Sequence, residues 1–474
     1  MIPPPAYSPD KFPSSWYDKA MPKTVTYVCQ ECGCQQLRWH GRCPDCGGWG
    51  SLVEEVAAAS SGPSAPLKPL AVSAAIPISD VPPGTEPRRP SGLQEFDRVL
   101  GGGAVPGSAI LLAGDPGVGK STLILQAGYA LACAGHRTLY VSGEESLQQI
   151  RMRGERLRTM HEEMLALAET ELGAILQHIT LLQPAFVVVD SIQTTYDSNI
   201  ESAPGSVSQV RNAALRLIRT AKEGGATMLL IGHVTKEGQI AGPRILEHMV
   251  DVVLELEGDR DFSYRILRAV KNRFGSTHEL GIFTMGERGM EEVANPSAAF
   301  LDERQVGTPG SAVVAVMEGT RALLAEVQAL VTPAAGFGAP RRNANGIDIR
   351  RVAHILAVLE KRCQLPLGQQ DVFINVPGGL KLSEPATDLA VALAVTSSYR
   401  DIAVQPGLVC FGEVGLTGEV RTVSHADRRL MEAARQGFTT CLLPPAKTPG
   451  VKKSLIRAIS LHNLEQAFEE ALQR

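Results

Sequence analysis

The chain lacks any run of some 18 or more uninterrupted apolar residues, so nothing in its 474 residues is a candidate membrane span. It also lacks a charged leader followed by an apolar stretch. Met1 to Met21 carries prolines and aromatics instead, which disfavours secretion and sets the expectation of a cytoplasmic protein. A third absence is a large excess of charge of either sign. The formal net charge is −4, so any nucleic-acid binding has to come from local basic patches rather than from a whole-protein field. Nine cysteines in such a chain argue for metal sites or free thiols and against a disulfide framework. The length itself suggests about three folded units.

The clearest positive signal is Gly114-Asp115-Pro116-Gly117-Val118-Gly119-Lys120-Ser121, between the apolar run Ala109 to Ala113 and the helical pattern that starts at Thr122. Glycines let the backbone curl so that several N–H groups face phosphate oxygens, and the following helix adds its positive end. In such a loop Lys120 reaches the β/γ-phosphates of ATP and the Ser121 hydroxyl ligates Mg²⁺. Phe186-Val187-Val188-Val189-Asp190 is an apolar strand ending in a carboxylate, placing Asp190 on the metal side. Val141-Ser142-Gly143-Glu144-Glu145-Ser146 offers Glu144, with Glu145 as second choice, to polarise the attacking water; the plain alternative is a solvated acidic turn. His233, just past the strand Thr227 to Gly232, is a candidate sensor of the γ-phosphate. Lys271-Asn272-Arg273-Phe274-Gly275 ends an edge strand with two cations suited to a neighbour's γ-phosphate or to a DNA backbone.

Around this motif the expected fold is α/β. Strands Ser108 to Ala113, Thr138 to Ser142, Ala185 to Asp190 and Thr227 to Gly232 alternate with helices Lys120 to Ala134 and Ser208 to Glu223, which predicts a largely parallel sheet covered on both faces. Val252 to Glu257, Tyr264 to Lys271 and Leu280 to Met285 read as an added antiparallel edge. Upstream, Cys29-Gln30-Glu31-Cys32 and Cys43-Pro44-Asp45-Cys46 form two Cys-x-x-Cys knuckles of a small zinc ribbon, with Cys29, Cys32, Cys43 and Cys46 as ligands and metal binding supplying the folding energy. Cys34 can compete with Cys32, and a redox pair is the plain alternative. The expected divisions are an N-terminal extension over 1–25, the ribbon over 26–56, a linker over 57–89, an ATPase unit over 90–295 and a further α+β unit over 296–474. In the last, Ser311 to Val316, Val372 to Val376 and Leu408 to Glu413 read as strands and Asp348 to Cys363 and Thr387 to Ser397 as helices.

Taken in this order, the ribbon, the phosphate loop, Lys271 to Gly275 and the long C-terminal unit resemble the bacterial RadA (Sms) DNA-repair ATPases, from Thr26 onward. The resemblance implies a RecA-like motor assembled as a hexameric ring around single-stranded and branched DNA. It implies Lys271 and Arg273 acting in trans between subunits, and branch migration of recombination intermediates in partnership with the RecA recombinase. The C-terminal unit resembles the proteolytic domain of Lon. Ala386 stands where that family has its serine and Asp427 where it has its lysine, so peptidase activity is not expected, although Thr387 and Ser383 supply nearby hydroxyls. Arg341, Arg342, Arg350, Arg351, Lys361 and Arg362 face only Asp348 and Glu360 in the same stretch, which makes Arg341, Arg342, Arg350 and Arg351 candidate DNA contacts. If Asp348 to Cys363 is helical, Arg351, His354 and Val358 share one face. The rival reading is a nucleotide-switched regulatory ring of the KaiC type.

Overall fold

The computed structural model describes residues 25–29, 34–45, 47–56, 77–80, 88–232, 245–258, 264–334, 339–445 and 456–472. Within them, nine strands form the sheet of the ATPase unit. From one edge to the other they are Met164–Ala168, Thr138–Ser142, Phe186–Asp190, Thr227–Ile231, Ala109–Gly114, Val252–Glu257, Tyr264–Asn272, Leu280–Gly286 and Gly289–Glu292. The first six run parallel, and the last three turn back antiparallel. Val252–Glu257, expected as part of the antiparallel edge, is in fact parallel to Ala109–Gly114 on one side and antiparallel to Tyr264–Asn272 on the other. It is therefore the seam between the two halves.

The central strands are buried on both faces, as parallel strands between helices must be, and this is why they read as continuous apolar runs rather than as alternations. One face packs on Lys120–Cys133 and Gln94–Leu100, the other on Leu172–Leu182 and Val207–Gly224. Helix starts are set locally. Ser206 and Ser146 each accept a bond from the backbone N–H three residues on, and Gln149 completes a capping box with Ser146.

The C-terminal unit is built on a seven-stranded sheet of mixed direction, with a long hairpin, Ser311–Glu318 and Arg321–Pro333, at its middle. Its helix Asp388–Arg400 has ten of thirteen residues buried and forms the spine of the core, against Ile349–Arg362 and Leu464–Ala471. Ion pairs join this unit to the ATPase unit: Arg321 to Glu95 at 3.0 Å, Lys381 to Glu257 at 3.0 Å and Arg268 to Glu318 at 3.6 Å. The ribbon is a three-stranded antiparallel sheet of Val25–Cys29, Gln35–Gln36 and Leu52–Val56. Among the described residues, no helix is long and apolar enough to cross a membrane.

Candidate functional site

The phosphate loop follows the carboxyl end of Ala109–Gly114, the side of an open parallel sheet on which ligands gather. Two of its glycines are there by steric necessity. Gly114 has φ 150°, and a Cβ on it would lie 2.4 Å from the Leu256 carbonyl oxygen; Gly119 has φ 113°, with the Met290 and Met285 methyls 2.5 and 2.8 Å from where a Cβ would be. Lys120 is the first residue of the helix Lys120–Cys133 and is 4% exposed. Its Nζ donates to the Gly114 and Asp115 carbonyls at 2.7 and 3.0 Å. Burial pushes the Lys120 ammonium below its ordinary pKa, against the pull of Asp190, Asp115 and Glu144, so those three carboxylates share its electrostatic neighbourhood. Ser121 and Thr122 follow in the same first turn.

The two carboxylates come from adjacent strands. Ser142 and Asp190 are paired in register, and the Gly143 N–H donates to the Asp190 carbonyl at 2.8 Å, which brings Glu144 alongside the end of the Asp190 strand. The Ser191 hydroxyl donates to Glu144 Oε1 at 2.6 Å, and the Tyr140 hydroxyl donates to Asp190 Oδ2 at 2.5 Å. Burial, with the adjacent Asp190 charge, holds the Tyr140 hydroxyl well above its ordinary pKa, so it remains a donor. Glu145 is used differently: it forms an ion pair with Arg153 on the next helix. Tyr140, Ser191 and Arg153 were not picked out from the sequence. Ser191 beside the strand-ending Asp190 was the one available hint; the other two depend on tertiary pairing. His233 lies outside the described residues.

Lys271 and Arg273 sit at the other end of the sheet. Asn272 is level with Val252, which is level with Ile110, near the start of the strand whose far end carries the loop. Lys271 Nζ donates to the carbonyls of Glu247, Val250 and His248 at 2.7, 2.8 and 3.3 Å, closing the end of the short helix Ile245–Met249. Arg273 is half exposed and pairs with Asp251 at 3.2 Å; Asp251 also accepts the Ala109 N–H. The turn is braced by Arg88, which donates to Leu100 O at 2.9 Å and Phe274 O at 2.5 Å, and by Asn272, which donates to Val99 O at 3.2 Å.

In the ribbon, Cys32 and Cys46 lie outside the described residues. Cys29 and Cys43 are buried together in one cluster with Leu52, and Cys34 is partly buried against it. The Cys29 and Cys43 N–H groups close tight turns onto Cys34 O and Gly48 O at 2.9 and 2.8 Å. Buried thiols on tight turns fit a thiolate-held Zn²⁺.

In the C-terminal unit, Ala386 is fully buried, the Thr387 hydroxyl donates to the Glu384 carbonyl at 2.9 Å, and Ser383 and Asp427 are exposed. The group that occupies this region is Arg429. It is fully buried, bidentate to Glu384 at 2.7 Å, bonded to Ala315 O at 2.6 Å and placed over the Phe411 ring. The basic stretch is corrected in one respect. Arg351 is bidentate to Asp388, at 2.5 and 2.7 Å, and so stabilises the start of the core helix instead of presenting a free cation. Arg351, His354 and Val358 lie on one side of the helix Ile349–Arg362, as their spacing requires, with Val358 4% exposed and packed in the core and His354 exposed. Arg341, Arg342 and Arg350 are exposed.

Comparison with known proteins gives three family models in the same order as these units: the rubredoxin metal binding domain over residues 27–54, the AAA domain over 91–239 and subunit ChlI of Mg-chelatase over 346–447. The chain is 49% identical over 455 residues to the DNA repair protein RadA of Halalkalibacterium halodurans, covering 95% of this chain and 99% of that one. It is 49% identical over 457 residues to the same protein of Bacillus subtilis, covering 95% and 100%. Among solved structures, a KaiC-like protein from Pyrococcus horikoshii is 22% identical, with a TM-score of 0.37, covering 44% of this chain and 99% of that one.

Proposed function

The chain belongs to the RadA family of DNA repair proteins, and from that premise we propose that it is an ATP-driven DNA translocase that migrates branched recombination intermediates as a hexameric ring, in partnership with a RecA recombinase. The observation that carries the reading is the convergence of Lys120, Glu144 and Asp190 at the carboxyl ends of three parallel strands of one sheet.

In this reading the loop N–H groups of residues 114–122 and Lys120 hold the phosphates of ATP. Lys120 exchanges its two carbonyl partners for phosphate oxygens, and its partial desolvation strengthens that contact. Ser121 and Asp190 hold Mg²⁺, which when bound neutralises charge on the transferred phosphoryl group. Glu144, oriented by Ser191, takes the proton of the attacking water. Glu145 is unsuited to that task because Arg153 occupies it. We assign Lys271 and Arg273, which lie at the far end of the sheet from their own loop, to a neighbouring subunit's nucleotide. For Lys271 this requires giving up the carbonyls of residues 247–250, so engagement would loosen the end of that helix. Cys29, Cys32, Cys43 and Cys46 hold Zn²⁺. Arg341, Arg342 and Arg350 are retained as DNA contacts, and His233 as a nucleotide sensor.

The test is ATP hydrolysis by the wild type and by Lys271→Ala, with and without single-stranded DNA at two salt concentrations. Salt-sensitive stimulation in the wild type, lost in the variant, is the expected result. DNA-independent turnover in both would favour a nucleotide-switched regulatory ring.

A further inference from the structure

The zinc ribbon displays aromatic surface that its own fold does not use. Trp39 is 58% and Trp49 78% exposed, with Leu37 at 78% beside them, in a chain holding only three tryptophans. Tryptophan is normally well buried even when not fully so, which makes two such rings on one small module informative. They are also adjacent. Arg42 and Trp49 face each other in an antiparallel bridge, and the Gly50 N–H donates to Gly41 O at 2.8 Å. The benzo edges of Trp39 and Trp49 each come within 3.7 Å of the space a side chain on Gly41 would fill. The Trp39 Nε1–H is tied to Leu52 O at 3.2 Å, so that ring is held by its polar edge with its apolar part outward. The stretch from Leu37 to Arg42 interleaves Arg38, His40 and Arg42 with these rings and contains no carboxylate; all three basic side chains are exposed.

We propose that Trp39 and Trp49 are a stacking platform for the unpaired bases of a single-stranded nucleic acid, with Arg38 and Arg42 meeting its backbone. Fixed aromatic faces alternating with cations are the arrangement that binds single strands without sequence preference, since every base has a π-face and every nucleotide a phosphate. A protein partner would be served by the exposed rings alone; the cations flanking them favour a polyanion. The inference rests on the DNA-motor reading but places a specific contact in the ribbon, outside the ring core.

With Trp16→Phe in the full-length chain, the remaining tryptophans are the two in question, so fluorescence excited at wavelengths beyond the absorption of the eight tyrosines reports on them alone. Titration with oligodeoxythymidylate should quench that fluorescence saturably. Trp39→Ala and Trp49→Leu should each weaken binding roughly five- to hundredfold, the range for loss of one base–aromatic stack, while Trp49→Phe largely retains it. The salt slope should persist in the tryptophan variants and fall by about 0.7 in Arg38→Ala. Zinc content at wild-type stoichiometry verifies that each variant ribbon is folded. Oligonucleotide binding by anisotropy with neither quenching nor loss in the folded variants would overturn the platform, leave the DNA motor standing and assign the face to a protein partner. No binding by any form would overturn both.

Discussion

In the ATPase unit, the helix starting at Lys120 opens with an ammonium near three carboxylates, of which Asp190 and Glu144 are held by hydroxyl groups of Tyr140 and Ser191. In the C-terminal unit, the helix starting at Asp388 opens with a carboxylate closed by two bonds from Arg351, and a few residues upstream Glu384 is closed by two bonds from Arg429. Hydroxyl partners orient a carboxylate while leaving it its charge to act with; a bidentate guanidinium neutralises it and fixes it in the fold. The two regions share the device of a charged helix start beside a sheet. One keeps its charges available for chemistry, and the other uses them to hold itself together.

The contrast is sharpest at Lys120. Lys120→Ala should lower ATP turnover by at least about a hundredfold, as loss of a charged phosphate contact does, with circular dichroism unchanged. Turnover near wild type would remove the loop from the mechanism. Next comes the pair of adjacent acids. Glu144→Gln should cost about a hundredfold or more in kcat, the scale of a lost general base, whereas Glu145→Gln should leave kcat near wild type and act on the helix anchored by Arg153. A reversed ranking would mean that Ser191 marks the wrong carboxylate.

On the structural side, Arg429→Ala strands Glu384 in a largely buried site and should destabilise the C-terminal unit by about 3–5 kcal/mol in denaturant unfolding, with basal ATP turnover retained. Turnover that collapses while the unit stays stable would make Arg429 a functional group and erase the distinction. The smallest effect concerns Glu318, which faces Arg268 across the junction of the units and whose pKa burial pushes up to about 7. A raised carboxyl pKa contributes stability that is present below its unfolded value of 4.5 and lost as pH rises through about 7. Glu318→Gln should therefore raise the thermal midpoint relative to wild type at pH 8 and leave the two alike near pH 4. An equal gap at both would show that Glu318 stays ionised.

The difference between the regions also decided what could be read from the chain. The placement of the phosphate loop, Asp190 and Glu144 was legible because each lies within a few residues of an apolar strand's end, and the helix expected at Asp348 to Cys363 appears as Ile349–Arg362 with those two residues as its caps. The ion pairs of the C-terminal unit were not legible, because Arg351 and Asp388, or Glu384 and Arg429, lie 37 and 45 residues apart and meet only in the tertiary fold. The same cause hid the parallel pairing of Val252–Glu257, since an alternating strand at a seam looks like a meander strand in sequence.

The most direct test of the central claim, that hydrolysis at Lys120 and Glu144 is coupled to movement on DNA, is branch migration of a synthetic three-stranded junction by wild type and Glu144→Gln, with ATP or a non-hydrolysable analogue. The account predicts strand exchange only by the wild type and only with ATP, while both proteins bind the junction. Equal exchange by Glu144→Gln, or by wild type with the analogue, would contradict it.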